Sequence, residues 1–288
     1  MKFTKLTTAV AAAVAATLAL TACGSDDTAS PEVASTSFAD GTTMAKLQSA
    51  GKITIGTKFD QPLFGLAGPD GTPEGFDVEI GKIIAAKLGI DAGKIKWTET
   101  VSQNREPFIE NGNVDIVIAT YTINDTRKEV IDFAGPYYIA GQSFLVAKGN
   151  PAGITSPETV GDNKVCTVTG STSEANIKET VPADQVITVD KYSDCLEPIR
   201  TGEAQALTTD NVILAGLVSQ NGDEFEVVDS TFTEEPYGIG LKKGDDDFRT
   251  FINDTLEQSF EDGSWAAAWE ATAGKVLPTP DPPTVDRY

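Results

Sequence analysis

Thr120, Thr122, Asn124, Asp125, Thr126 and Arg127 bring hydroxyls, candidate helix caps and a guanidinium into one short stretch. Together they make a receiver for an anion, because an arginine fork holds a carboxylate or phosphate through two parallel hydrogen bonds. The run ahead of them, Ile116-Val117-Ile118-Ala119, has the length and branching of a strand buried on both faces. In open parallel sheets, ligands gather outside the carboxyl ends of strands, which is where these hydroxyls fall. The same residues also describe an ordinary strand, turn and helix with a solvated arginine. The rest of the chain separates the two readings.

Missing chemistry narrows the field. None of the 288 residues is histidine, which removes Ser-His-Asp and Cys-His catalysis, His-ligated zinc and imidazole pH switching. Proton transfer would fall to carboxylates, Lys or Tyr. The acidic residues around Pro69-Asp70-Gly71-Thr72-Pro73 lack calcium-loop spacing and no CxxC pair occurs, so neither a metal nor a cofactor is expected. A formal charge of −21 argues against nucleic acid and anionic membrane surfaces as partners. An anionic ligand must therefore be held by local cations. At physiological salt the repelling field decays over roughly 8 Å, so a basic pocket can prevail.

Met1 to Ala22 has a basic start, MKFTK, an Ala/Val/Leu run too short for a comfortable membrane span, and Leu-Thr-Ala before Cys23. It resembles a bacterial lipoprotein signal, in which the cysteine becomes the lipidated first residue, carrying acyl chains such as palmitate. Removal of Lys2 and Lys5 with the leader makes the mature chain still more acidic. The Ser/Thr/Asp/Ala-rich segment from Gly24 to about Asp40 reads as a disordered tether. Cys166 and Cys195 remain. In an oxidising compartment pairing is the default, worth roughly 3–4 kcal/mol in the chain-entropy model, and two buried free thiols are the alternative.

Two α/β units position the candidate residues. In the first, strand Lys52–Thr57 leads into Lys58-Phe59-Asp60, and Phe76, Ile80, Ile83, Ile84 and Leu88 repeat at helical spacing up to Gly89. A strand near Ile95–Thr98 follows, then a short helix carrying Arg105, Phe108 and Ile109 for which Asn104 is the expected cap, then the opening stretch. The second unit reads as strand Gln142–Ala147, a Gly/Pro/Ser-rich break over 149–161, strand Lys164–Val168, a helix from Ser173 and strand Gln185–Val189. Helix Leu196–Arg200, strand Ala204–Thr208, helix Val212–Val218 and strand Phe225–Val228 complete it. Asp210 lies just past a strand, as Thr120 does in the first unit. An apolar strand Glu235–Leu241 and a helix begun by Asp245-Asp246-Asp247 follow, the acidic start suiting the helix dipole. Trp265 and Trp269 read as core rather than a ligand box, and Pro278–Tyr288 as a loose tail.

IATYTINDTRKEVIDFAGPYY resembles the signature of type-3 extracellular solute-binding proteins of polar amino-acid ABC importers, a Thr-x-Thr-x-x-x-x-Arg element followed by Asp-Phe-Ser-x-Pro-Tyr-Tyr. Ala134-Gly135 replaces the usual small pair before Pro136. The resemblance runs from about Gly51 to Gly274 and includes GFDVEIGKIIAAKLG, Gly170-Ser171-Thr172, Thr209-Asp210 and YGIGLKKG. It is nearest to actinobacterial glutamate-binding lipoproteins, which also share TKFDQP and the paired cysteines.

The resemblance implies an α/β, two-lobe periplasmic-binding-protein (type II) fold with two crossing hinge strands. It implies a signal peptide over 1–22, a lipidated tether over 23–44, lobe one over 45–143 plus 238–274, lobe two over 144–237 and a Pro-rich tail over 275–288. By position, Arg127 would clamp a ligand α-carboxylate, with Thr122 and the helix start at Ser171 and Thr172 assisting. Asp210 and the Thr120 carbonyl would take the ammonium, though Asp210 is equally placed to cap the next helix. Arg105 and Lys58 stand where binders of acidic ligands carry cations. Tyr121 and Phe59 are candidates to wall the ligand's aliphatic part, with core packing the alternative. The implied protein is no enzyme but a monomeric receptor that hands L-glutamate to an ABC permease, held at the membrane by lipid on Cys23. A glutamine or aspartate binder, a dehydratase on the same fold, and a sensory protein are the alternatives.

Overall fold

The computed structural model describes residues 31–288, so the leader, Cys23 and the first tether residues lie outside the described residues. The chain builds most of one sheet, leaves to build a second, and returns to complete the first. Helix α1 (Thr43–Ala50) leads into β1 (Ile53–Thr57), and β2 (Asp60–Gln61), β3 (Gly65–Ala67) and β4 (Pro73–Glu74) make a small antiparallel sheet. Then come α2 (Phe76–Lys87), β5 (Ile95–Glu99), α3 (Arg105–Glu110), β6 (Ile116–Val117), the single turn α4 (Asp125–Lys128) and β7 (Ile131–Ala140). The second body comprises β8 (Gln142–Ala147), β9 (Val165–Val168), α5 (Thr172–Ile177), β10 (Val186–Val189), α6 (Leu196–Thr201), β11 (Ala206–Asp210), α7 (Asn211–Asn221) and β12 (Phe225–Val227). Strand β13 (Glu235–Lys242) and helices α8 (Asp246–Asp262) and α9 (Ser264–Ala271) return to the first.

The strand orders are β5-β1-β6-β13-β7 and β10-β9-β11-β8-β12. Both sheets repeat one plan, three parallel strands followed by two antiparallel ones. This is the two-lobed α/β architecture expected from the sequence. The chain crosses between lobes at Gly141 and again near residue 234, Val228 and Phe232 still donating to the Phe144 and Gln142 carbonyls of lobe two. Gln142 and Ser143 pair with Asp210 and Thr209 in lobe two, whereas Glu235 pairs with Ala140 in lobe one, so the crossings precede the boundaries read from sequence by two to three residues.

Strand β7 has no counterpart in the sequence reading, because Pro136 interrupts its pattern. The structure accommodates the proline since β7 is the rim of its sheet and its register with β13 shifts between Tyr237 and Ile239. Conversely, the apolar run Ile116–Ala119 is buried throughout but pairs as a strand only at Ile116–Val117.

Two segments read as loose are docked. Ala34 N–H donates to the Ala86 carbonyl at 2.9 Å and Phe38 packs edge-on against Phe251 at 5.4 Å, so the expected tether is attached to lobe one well before residue 44. At the other end, Val285 is buried, Asp286 N–H donates to the Gly135 carbonyl at 2.8 Å, and the Tyr288 hydroxyl accepts from Phe133 N–H at 2.8 Å. Such anchors rest on partners far away in sequence, which local composition does not reveal.

Lobe one's core is aromatic. Trp265 and Trp269 are buried beside Phe76, and Trp269 stacks on Tyr138 with ring centroids 4.9 Å apart. Tyr137 and Tyr237 belong to the same cluster and send their hydroxyls out of it, to Asp77 and Asp210, each at 2.6 Å. The packing that holds the lobe thereby also orients two carboxylates. In lobe two, Cys166 and Cys195 are bonded across a separation of 29 residues, a loop whose closure stabilises by about 3–4 kcal/mol in the chain-entropy model.

Candidate ligand-binding cleft

Past β6 the chain turns at Thr120, a non-glycine residue at φ +43°. Such a conformation costs roughly 1–3 kcal/mol and persists only where the surroundings impose it. Here Thr120 N–H donates to Asp77 Oδ2 at 2.7 Å and its hydroxyl to Gln61 Oε1 at 2.9 Å. Burial pushes the Asp77 carboxyl up to about 7, against the Tyr137 and Thr120 hydrogen bonds that favour its charge. Asn124 then caps α4 by accepting from Arg127 N–H at 2.9 Å, as its spacing predicts.

Arg127 is buried and bridges the lobes. Its Nε donates to Glu106 at 3.0 Å, Nη1 to the Thr122 carbonyl at 2.7 Å and Nη2 to the Gly170 carbonyl at 3.3 Å. Of about five N–H donors in a guanidinium, two remain. Burial and the nearby Arg105 lower its pKa to about 10, so it is charged at neutral pH. Gly170, at φ +76°, permits this close approach, since a Cβ there would sit 2.9 Å from Gln103 Cα.

Lobe two contributes Ser171, which caps α5 by accepting from Glu174 N–H at 2.9 Å, and Thr172, whose hydroxyl donates to Glu235 at 2.8 Å and faces the Thr122 hydroxyl at 3.4 Å. Asp210 ends β11 fully enclosed. Its Oδ2 accepts from Tyr237, while its buried Oδ1 has no hydrogen-bond partner among the described residues. Its side chain does not cap α7. Burial first, then the Glu235 carboxylate, push the Asp210 pKa up to about 7.

Arg105 reaches in from the start of α3. Its Nε donates to the Ser102 carbonyl at 3.2 Å and its Nη1 to the carbonyls of Ala119 and Thr120 at 3.2 and 3.5 Å, and Nη2 makes no hydrogen bond among the described residues. The expected cap from the Asn104 side chain is absent, because Ser102–Asn104 already form a tight helical turn leading into α3. Lys58 is buried, donates to the Ser102 hydroxyl at 2.8 Å, and is lowered to about 7 by burial and by repulsion from Arg105.

Between the lobes these groups enclose a cavity of about 10 Å³, room for the centre of one water-sized sphere. Arg105, Thr120, Thr122, Ser171, Thr172 and Asp210 line it, six of the residues singled out in the sequence. Arg127 and Lys58 are buried next to residues that line it but do not line it themselves. Outside the cavity, Tyr192 N–H donates to Asp60 at 3.0 Å and Lys191 pairs with Glu99 at 2.5 Å, further ties between lobe two and lobe one. With the lobes this close, anything larger than a water enters only when they part.

Tyr121 and Phe59 do not line the cavity. Tyr121 stands between Thr120 and Thr122, whose side chains take the cavity side, and it packs against Phe133 at 4.8 Å within the lobe-one interior. Phe59 is half-buried at the turn into β2, its carbonyl tied to Ala67 N–H. Ser102, Ser173, Tyr192 and Ile213 do line the cavity and were not foreseen. Ile213 was within reach of sequence reasoning, because it lies one helical step past Asp210. Tyr192 was not, since its turn is held by the disulfide and by Asp60.

Among the described residues, no group of three or more Cys, Asp or Glu is disposed to hold a metal, and no helix is long and apolar enough to cross a membrane. A family model of bacterial extracellular solute-binding proteins, family 3, matches residues 53–271. The glutamate-binding protein GluB of Corynebacterium efficiens is 38% identical over 273 residues, covering 91% of this chain and 88% of its own. The ABC transporter glutamine-binding protein GlnH of Bacillus subtilis is 39% identical over 252 residues, covering 87% of this chain and 90% of its own. Among solved structures, an ancestral arginine-binding protein bound to glutamine aligns with a TM-score of 0.71 at 34% identity, covering 76% of this chain and 96% of that one. The two lobes, their crossing segments and a match over most of the length agree: the chain belongs to the bacterial extracellular solute-binding proteins, family 3.

Proposed function

We propose that this protein is the receptor of an ABC importer, capturing an acidic α-amino acid, L-glutamate foremost, between its lobes and delivering it to membrane permease subunits, with lipid on Cys23 as its anchor. One observation carries the reading. The unpartnered, buried Oδ1 of Asp210 and the unpartnered Nη2 of Arg105 belong to residues lining one small cavity. An anion acceptor and a cation donor in one enclosed space complement a zwitterion. Asp210 takes the ammonium, the two remaining N–H groups of Arg127 and the start of α5 take the α-carboxylate, and Arg105 takes the side-chain carboxylate. A ligand that touches both lobes binds the closed state better and so draws the population towards it.

The names of the two curated relatives divide between glutamate and glutamine. Arg105, with Lys58 behind Ser102, favours a carboxylate over an amide at the side-chain end. Calorimetric titration with glutamate, glutamine, aspartate, asparagine and arginine is expected to rank glutamate tightest. Tighter binding of glutamine or arginine would overturn the assignment of Arg105 and Lys58.

Affinity for glutamate is expected to peak near neutral pH. With the lobes closed and the cavity enclosed, Asp210 stands near 7, raised by burial and Glu235 against the opposing influence of Tyr237, Arg105 and Arg127. An ammonium partner lowers it, so below about 7 binding must expel a proton, and affinity falls by up to about tenfold per pH unit. Free Lys58 also stands near 7, with Arg105 and Arg127 opposing its charge and Asp60 and Asp77 favouring it. A ligand carboxylate raises it, so above about 7 binding must take up a proton and affinity falls again. Calorimetry in buffers of different ionisation enthalpy reads the proton count directly. A flat profile across neutrality would show that neither group meets the ligand.

A further inference from the structure

Both arginines of the cleft rest on one aromatic ring. The guanidinium carbon of Arg105 lies 4.2 Å from the ring centroid of Tyr121, and that of Arg127 lies 4.9 Å from it. Two buried guanidinium groups this close repel each other, with little water between them to screen the charges. The electron-rich face of an aromatic ring attracts such cations and offsets the repulsion. The ring itself is immobilised. It is fully buried, Phe133 packs against it at 69° between planes, and Gly240 makes room for it, since a Cβ there would lie 2.8 Å from Tyr121 Cε1. Among the described residues its buried hydroxyl meets no hydrogen-bond geometry, Glu106 being the side chain nearest to offering one, so the ring and not the hydroxyl supplies the contact to the arginines.

We propose that Tyr121 is a positioning residue whose ring fixes the separation of the Arg105 and Arg127 guanidinium groups and so selects the distance between the two carboxylates of the ligand. The proposal rests on the reading of Arg105 and Arg127 as receivers for the two ends of an acidic amino acid. A fixed separation discriminates between glutamate and the shorter aspartate, whose two carboxylates stand closer together.

The test compares Tyr121→Phe with Tyr121→Leu in the full chain. Tyr121→Phe keeps the ring and is expected to hold glutamate and aspartate affinities within about twofold of wild type. Tyr121→Leu is expected to cut the glutamate-to-aspartate affinity ratio by about tenfold. An equal loss for both ligands in Tyr121→Leu, or a phenylalanine variant that behaves like the leucine one, would overturn the proposal. Side-chain NMR gives a readout independent of ligand and of whether the leucine variant folds. The Nε–H protons of Arg105 and Arg127 should be shifted upfield by the ring in wild type and Tyr121→Phe, and unshifted arginines in wild type would overturn the positioning role by itself. If wild type prefers an amide or a cationic amino acid while those upfield shifts are present, the failure lies in the reading of the ligand, and the ruler falls with it.

Discussion

Asp210→Asn is expected to lose at least about a hundredfold in affinity for every α-amino acid and yet to melt higher than wild type. The substitution keeps the shape and an acceptor for the Tyr237 hydroxyl, but removes the charge that faces the ammonium. Taking one partner from a buried ion pair costs about 3–5 kcal/mol, equivalent to roughly a hundred- to a few-thousandfold in affinity. Stability moves the other way. Because the folded-state pKa of Asp210 is raised to about 7, the folded protein disfavours its charge. That penalty is complete above about 7 and disappears as pH falls from about 7 towards the usual carboxylate value. The variant should therefore gain a few degrees in Tm near pH 8 and much less near pH 4.5. Scanning calorimetry at both pH values with titration at neutrality checks it. An unchanged Tm at pH 8 would mean that the carboxylate is better solvated than its burial implies.

Arg105→Ala should cost glutamate about a hundredfold or more and glutamine no more than about tenfold. Truncating one member of a buried charged pair costs about 2–5 kcal/mol, and only the ligand with a side-chain carboxylate makes that pair. Arg105 also holds the carbonyls of Ala119 and Thr120, next to the strained turn. Its loss will disturb every ligand somewhat, and so the difference between ligands is what tests the role. Equal losses would reduce Arg105 to a brace for Thr120. Arg105→Lys should not restore glutamate affinity, because a point charge cannot serve the Ser102, Ala119 and Thr120 carbonyls together with a ligand.

Features that depend on neighbours in sequence were legible. Asn124 caps α4, and Asp210 falls at the carboxyl end of its strand, closing β11 itself where Thr120 lies past β6. The Trp265 and Trp269 spacing meant core. Features decided by distant partners were not. Tyr121 invites a ligand-wall reading because it lies amid polar residues, yet alternation with Thr120 and Thr122 turns it away from the cleft and under the arginines. Strand β7 is hidden by Pro136, which only a rim position and a register shift make acceptable. Ser102, Ser173 and Tyr192 join the cavity through loops and a turn whose placement is settled by lobe closure, Asp60 and the disulfide, and no periodicity encodes that.

The docked tail has a consequence beyond lobe one's own packing. Exposed rims of β-sheets are templates on which another chain can add a strand. Along the middle of β7 four outward groups are already taken: Phe133 N–H by Tyr288, Gly135 N–H by Asn253, the Gly135 carbonyl by Asp286 and the Tyr137 carbonyl by Trp265. Arg287, paired with Asp254 and Glu257 at 2.6 Å, and the Tyr288 ring under Lys128 and Arg249 pin that cover in place. The tail thus sews up the middle of this seam, where another copy of the chain would otherwise find groups to pair with.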